Sequence, residues 1–172
     1  MAISWFAVRV RTSAESLVEA NLRDKCEGTF LPTYLECRHY CDRVKQVRAA
    51  LFPGYLFCRF NPDGRLPILQ TPGVQQVLGN STGPIPVDDG EILGLQKTAT
   101  LGLSTRPWPF LRRGERVRIG YGSMAGVEGI LLYEKGSQLL VLSVELLQRS
   151  VAVQIDRSMV RPVSTVPLAM SA

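Results

Sequence analysis

The segment Leu51-Phe52-Pro53-Gly54-Tyr55-Leu56-Phe57 constrains the fold more than any other stretch of the chain. Proline presets one backbone angle of a bend, and glycine supplies the conformation that side-chain-bearing residues avoid. A sharp turn is therefore predicted at Pro53-Gly54, with a strand leaving it as Tyr55-Leu56-Phe57-Cys58-Arg59-Phe60. Across such a turn Phe52 and Tyr55 do not both sink into one strand face. One of the pair is expected to point outward as a docking surface, and the alternative for each is a place in the core.

With 172 residues the chain has room for one large domain or two small ones. Trp5-Phe6-Ala7-Val8-Arg9-Val10 reads as a strand, aromatic and β-branched with Arg9 interrupting the apolar run. Thr12-Ser13-Ala14-Glu15 has the spacing of a capping box, which predicts a helix that turns Leu17, Val18 and Leu22 inward and stops near Gly28. Residues 30–35 read as extended, and the charged stretch 38–48 as a hairpin or solvent-facing loop. After the 55–60 strand come a turn at Asn61-Pro62-Asp63-Gly64, a short helix over 65–70 and a strand over 74–78. Asp88 then offers a cap for a helix running to about Ala99 despite Gly94. This order predicts an α+β N-terminal domain, an antiparallel sheet flanked by helices, over residues 1–103.

The pattern changes after that point. Ser104-Thr105-Arg106-Pro107-Trp108-Pro109 has two prolines and no periodicity, so 104–110 is read as a linker. Short apolar segments then alternate with turn glycines over 115–119, 127–133, 138–146 and 150–155, with Val160 before Pro162. Five short strands in so few residues predict a small all-β barrel over 111–163. The tail 164–172 carries no pattern and is expected to be disordered.

Net charge is +5, a mild basic excess that is compatible with nucleic acid without requiring it. No charged-then-apolar leader and no apolar run long enough for a bilayer is visible, so a cytoplasmic protein with no membrane contact and reduced thiols is expected. Cys37-Arg38-His39-Tyr40-Cys41 holds the only histidine. Zinc is conceivable there on ligand chemistry, but the spacing is not that of a paired knuckle, and free thiols are the plainer reading. No nucleophile-and-base arrangement and no phosphate-binding loop with its lysine is present, so neither an enzyme nor a cofactor is expected.

The second domain carries a motif. Arg113-Gly114-Glu115-Arg116-Val117-Arg118-Ile119 leads into Gly122-Ser123-Met124-Ala125-Gly126-Val127-Glu128-Gly129-Ile130, a strand, a loop and spaced glycines. This resembles the KOW motif. With it, Trp5-Phe6-Ala7-Val8, the Leu51–Phe57 segment, Thr71-Pro72-Gly73-Val74 and Pro84-Ile85-Pro86-Val87 together resemble the N-terminal (NGN) domain of NusG-type transcription factors, so the likeness covers about 3–163. The short N-terminal domain and the form of the Leu51–Phe57 segment look most like the specialised, RfaH-like paralogues. The chain departs from them at Pro67-Ile68-Leu69-Gln70-Thr71, where those proteins carry a polar His-Thr-Thr-Thr-like segment facing the polymerase gate loop and this chain keeps only Thr71.

The resemblance implies a monomeric elongation or antitermination factor. Its N-terminal domain would sit on the clamp helices of RNA polymerase through Trp5, Phe52, Pro53, Gly54 and Tyr55, with Arg9 and Arg11 near non-template DNA. Its KOW domain would recruit a small-subunit ribosomal protein or Rho through Leu146, Leu147 and Arg149. Each residue has a plainer reading: Trp5 as core, Arg9 and Arg11 as solvated charge, Leu146 as the end of a core face. The alternative function is an RNA-binding or ribosome-associated KOW protein, favoured by the cations Arg112, Arg113, Arg116 and Arg118. Some RfaH-like factors fold the KOW segment as a helical hairpin on the N-terminal domain. Here Val141, Val144, Val151 and Val153 disfavour helix, and the glycines at 126 and 129 add to that, so β structure is expected.

Overall fold

The Pro-Gly bend closes through a hydrogen bond from the Tyr55 N–H to the Phe52 carbonyl at 3.0 Å, with Gly54 at φ +80°. This is a type II turn, with proline second and glycine third. A Cβ on Gly54 would lie 3.4 Å from Thr12 Oγ1 in a backbone conformation that L residues rarely adopt. The Glu15 carboxylate, itself buried, accepts the Gly54 N–H at 2.8 Å. The turn is thus pinned from a residue 39 positions away.

The computed structural model describes residues 2–111 and 114–163. The N-terminal half runs β1 (Ser4–Val10), α1 (Glu15–Leu22), β2 (Gly28–Phe30), β3 (Thr33–Tyr40), β4 (Arg43–Ala50), β5 (Tyr55–Phe60), α2 (Leu66–Leu69) and β6 (Val74–Val77). The two-residue strands β7 (Gly79–Asn80) and β8 (Gly83–Pro84) and the helix α3 (Asp89–Thr100) complete it. The C-terminal half runs β9 (Thr105–Trp108), β10 (Glu115–Ile119), β11 (Glu128–Glu134), β12 (Ser137–Val144), β13 (Arg149–Ile155) and β14 (Val160–Pro162). Strands β2-β5-β1-β6 form one antiparallel sheet, and β14-β10-β11-β12-β13-β9 form another. Strands β3 and β4 make a separate hairpin. The predicted α+β half followed by an all-β half is the architecture observed. The expected KOW segment is strand over Ser137–Val144, followed by a 3₁₀ turn at Glu145–Leu147, and not a helical hairpin.

Successive side chains of a strand point to opposite faces, and both faces of β5 are covered. Leu56, Cys58 and Phe60, with Phe6, Val8 and Val10 of β1, pack on Val18 and Leu22 of α1 and Ile68 of α2. Phe57 and Ala7 face the other way, into a core that continues through Ile92 and Leu95 of α3 to Val117, Leu140, Leu142, Val144, Val151 and Val153 of the six-stranded sheet. Gly94 lets α3 approach that sheet: a Cβ there would lie 3.3 Å from Val127 Cγ1 and 3.6 Å from Leu142 Cδ1.

Four local expectations are corrected. The capping box does not form: the residue before α1 is Ala14, with no side-chain cap, and Glu15 is spent on Gly54. Helix α1 ends at Leu22, well before Gly28, and Leu17 is 66% exposed because the inward stripe is Val18 and Leu22. The expected linker contains β9, which pairs with β13 from Thr105↔Val153 to Trp108↔Ser150. Its prolines are tolerated because β9 is an edge strand. The tail 164–172 lies outside the described residues.

Removing the Glu15 carboxylate strands a buried N–H, which costs about 1–3 kcal/mol. Glu15→Ala is expected to lower the urea midpoint accordingly, and Glu15→Gln, which keeps an acceptor, to lower it less. An unchanged midpoint for Glu15→Ala would remove the turn from this role.

Candidate protein-docking site

Cross-strand partners in an antiparallel ladder share a face. Trp5↔Arg59, Ala7↔Phe57 and Arg9↔Tyr55 are partners between β1 and β5. Trp5, Arg9 and Tyr55 therefore lie on the sheet face turned away from α1, at the rim of the core that reaches the six-stranded sheet. Trp5 and Tyr55 are half-buried and pack against that core. Arg9 is exposed, and so is Arg11, whose N–H is held by the Gly73 carbonyl at 2.8 Å.

Phe52 and Tyr55 part company. Phe52 is 1% exposed, with its ring edge-on to Phe57 at 6.1 Å between centroids. It supports the patch from below and offers no surface. Pro53 stands exposed at the crest of the turn, and Gly54 is buried.

Of the residues singled out in the C-terminal half, Arg149 lies against this same patch. Leu146 and Leu147, in the 3₁₀ turn after β12, are half-buried and pack on the shared core. Glu145, Gln148 and Arg149 around them are exposed. Gln148 takes a left-handed conformation (φ 52°) that turns the chain into β13. The Arg149 guanidinium then lies 5.4 Å from the Tyr55 ring centroid, a cation–π contact. The sequence reading assigned Tyr55 and Arg149 to two different partners; the fold gives each to the other.

Polar contacts close the seam. Lys97 Nζ donates to the Ala125 carbonyl at 2.8 Å, and the Glu145 N–H donates to Glu91 Oε1 at 3.2 Å. Burial pushes the Glu91 carboxyl up to about 6; Asp88 and Glu145 push the same way, and the Glu145 N–H partly offsets them. Sequence reasoning missed Glu91 and Lys97. The one available signal was Gly94, a glycine inside a helix, which marks close approach of another element.

Other candidates separate. Among the described members of the basic cluster, Arg118 hydrogen-bonds Glu128 and Arg116 lies 3.9 Å from the same carboxylate, while Arg112 and Arg113 lie outside the described residues. Thr71 is buried, donating to the Pro67 carbonyl at 2.9 Å and accepting from Lys25 Nζ at 2.7 Å, so its hydroxyl is committed internally. Cys37 and His39 are exposed on β3 and Cys41 follows it, and no group of three or more potential ligands among the described residues could hold a metal ion. A cleft of about 660 Å³ lies between α3 and the six-stranded sheet. Its lining includes Glu91, Arg116, Glu128 and Ser143 but no histidine or cysteine that could act as a nucleophile or its base. No described helix is long and apolar enough to cross a membrane.

Two β-rich units thus meet through aromatic, leucine and arginine side chains. The family model NusG, transcription termination factor nusG, matches residues 3–96. The chain belongs to the NusG family, whose members are transcription factors and not enzymes. It is 28% identical over 184 residues to the transcription termination/antitermination protein NusG of Thermus thermophilus, covering 93% of this chain and 98% of the relative. It is 23% identical over 175 residues to that of Helicobacter pylori, covering 94% and 99%. Among solved structures, one of domain interaction in Thermotoga maritima NusG matches with TM-score 0.54 at 19% identity, covering 95% of this chain and 99% of that one.

The Glu91 carboxyl predicts how the seam responds to pH. Its affinity for a proton is higher in the closed arrangement than when exposed. Closure is therefore fully favoured below about 4.5, the ordinary carboxyl value, and loses this contribution as pH rises through about 6. The half-exposed side chain keeps the effect modest. The Glu145 amide resonance should titrate with a midpoint near 6 in the natural chain and not in Glu91→Gln, which keeps the acceptor. A midpoint near 4.5, or an unchanged curve in the variant, contradicts the assignment.

Proposed function

We propose that this protein binds RNA polymerase through the β1/β5 face, seating it on the clamp helices, and recruits a second factor through its C-terminal sheet. The observation that carries the reading is the patch of Trp5, Pro53 and Tyr55 braced from beneath by buried Phe52. Aromatic anchors of this kind dominate the energetics of protein interfaces. Family membership supports transcription as the setting, with polymerase in the cytoplasm as the first partner.

Leu146, Leu147 and Arg149 are the surface we assign to a small-subunit ribosomal protein or to Rho. Arg9 and Arg11, both exposed beside the patch, are assigned to non-template DNA. Because Tyr55 and Arg149 occupy each other, binding of either partner requires the two halves to separate. A bound polymerase then leaves the C-terminal sheet, β9 included, tethered close by through the few residues after α3, at an effective concentration commonly in the millimolar range for a short connection. We read 1–103 and 111–163 as the units that separate.

The finer assignment we favour is a specialised, RfaH-like paralogue acting on selected operons. The form of the Leu51–Phe57 segment supports it. The internal commitment of Thr71 argues that this chain does not use the gate-loop contact of those paralogues. The RNA-binding reading is weakened by the convergence of Arg116 and Arg118 on Glu128.

Tyr55→Ala leaves the turn and Phe52 in place. In the full chain it is expected to weaken polymerase binding by an interface hot-spot increment of about 2 kcal/mol, partly offset by easier opening of the seam. Arg149→Ala removes only the lid and should strengthen binding. Competition for immobilised polymerase reads both. Equal affinity for the natural chain and a folded Tyr55→Ala protein would take the patch out of the polymerase contact.

A further inference from the structure

The face of β5 that the docking site does not use holds a second chemistry. Cys58 points from β5 toward α1 between Leu56 and Phe60 and is fully buried. Cys26 lies in the irregular stretch between α1 and β2, half-buried, and packs against the same cluster. The ladder holds the two segments together: Thr29 and Cys58 are register partners of β2 and β5, and the Glu27 N–H donates to the Arg59 carbonyl at 2.9 Å. Both cysteines thus pack on one buried cluster beside the β2–β5 pair. Cys37 and Cys41, by contrast, are exposed on and beside the β3–β4 hairpin.

The two thiols are unequal. The hydrogen bond from Cys58 and the adjacent Lys25 ammonium lower the Cys26 thiol, against the opposing effect of burial. The Cys58 thiol is pushed up by its bond to Cys26, by burial and by the negative charge of Glu19 on α1. A partly exposed thiol shifted down beside a buried one shifted up is the arrangement of an attacking and a resolving cysteine.

We propose that Cys26 and Cys58 are a peroxide-responsive pair that closes to a reversible intramolecular disulfide. The Cys26 thiolate attacks one oxygen of hydrogen peroxide; the O–O bond breaks, hydroxide leaves and takes up a proton, and Cys26 becomes a sulfenic acid. The Cys58 sulfur then attacks the Cys26 sulfur. The S–S bond forms, and the departing hydroxide takes the Cys58 proton as water. Two thiols and one peroxide give one disulfide and two waters. A disulfide is about 2.05 Å long and needs Cβ atoms about 3.5–4.5 Å apart. Cys26 lies in the turn residues 23–27, outside both α1 and β2. The product ties the segment after α1 to the strand that begins at Tyr55.

The test is thiol mapping on the full-length protein exposed to hydrogen peroxide, with free thiols then alkylated and peptides separated without reductant. A Cys26–Cys58-linked peptide, lighter by two hydrogens and lost on adding dithiothreitol, is expected before any product at Cys37 or Cys41. In Cys58→Ala, checked for native circular dichroism, Cys26 should accumulate as a sulfenic acid trapped by dimedone. In Cys26→Ser, which disturbs only the half-buried position, Cys58 should remain a free thiol. The proposal is overturned if Cys26 is oxidised or alkylated no faster than Cys37 and Cys41. It also falls if the first disulfide joins Cys37 to Cys41, or if Cys26 over-oxidises in the natural chain without linking to Cys58.

Discussion

Everything in this structure depends on β5 being buried on both faces. A strand covered on one side alternates apolar and polar residues, whereas one covered on both reads as an apolar run. Tyr-Leu-Phe-Cys-Arg-Phe is such a run, broken only at exposed Arg59. The helices α1 and α2 account for Leu56, Cys58 and Phe60. Nothing in the N-terminal sheet itself accounts for Phe57, Ala7, Trp5 and Tyr55. Helix α3 and the six-stranded sheet complete that face, so the two halves share one core.

The sheet face with the aromatic side chains is a packing surface within the chain and is also the surface we propose for the polymerase, two uses that exclude one another. Its geometry is set by a buried carboxylate: Glu15 holds Gly54, the Pro-Gly turn holds Phe52 beneath and presents Tyr55 above, and Tyr55 receives Arg149. The seam is apolar at its centre and polar at its rim, where Glu91 and Lys97 bind backbone groups of the other half. An interface of that make-up can open without leaving an unpaired charge in a core, because both side chains remain near solvent.

Much of this was legible in the residues. The Pro-Gly turn, the Asp88 cap and the apolar strands of the C-terminal half are local signals and correspond to observed elements. Asp88 caps α3 as its spacing suggests, accepting from Gly90 and Glu91. What failed was long-range. Glu15 reads as half of a capping box because the competing donor, Gly54, is distant in sequence. Leu17 reads as core because a short helix has no pattern long enough to fix which stripe faces inward. Thr105–Trp108 reads as linker because edge strands tolerate the prolines that central strands exclude. The residues expected to dock make contacts within the chain instead: nothing local says that Arg149 rests on Tyr55 or that Leu146 and Leu147 pack on the shared core.

The shared core is tested most directly by ¹⁵N relaxation on the intact chain. If the halves are packed as described, amides of β5 and of β12 report one common rotational correlation time, that of a single body of 19.0 kDa. Separating them by substitution at the seam should split this into two shorter times. Two independent short times in the natural chain would contradict the account.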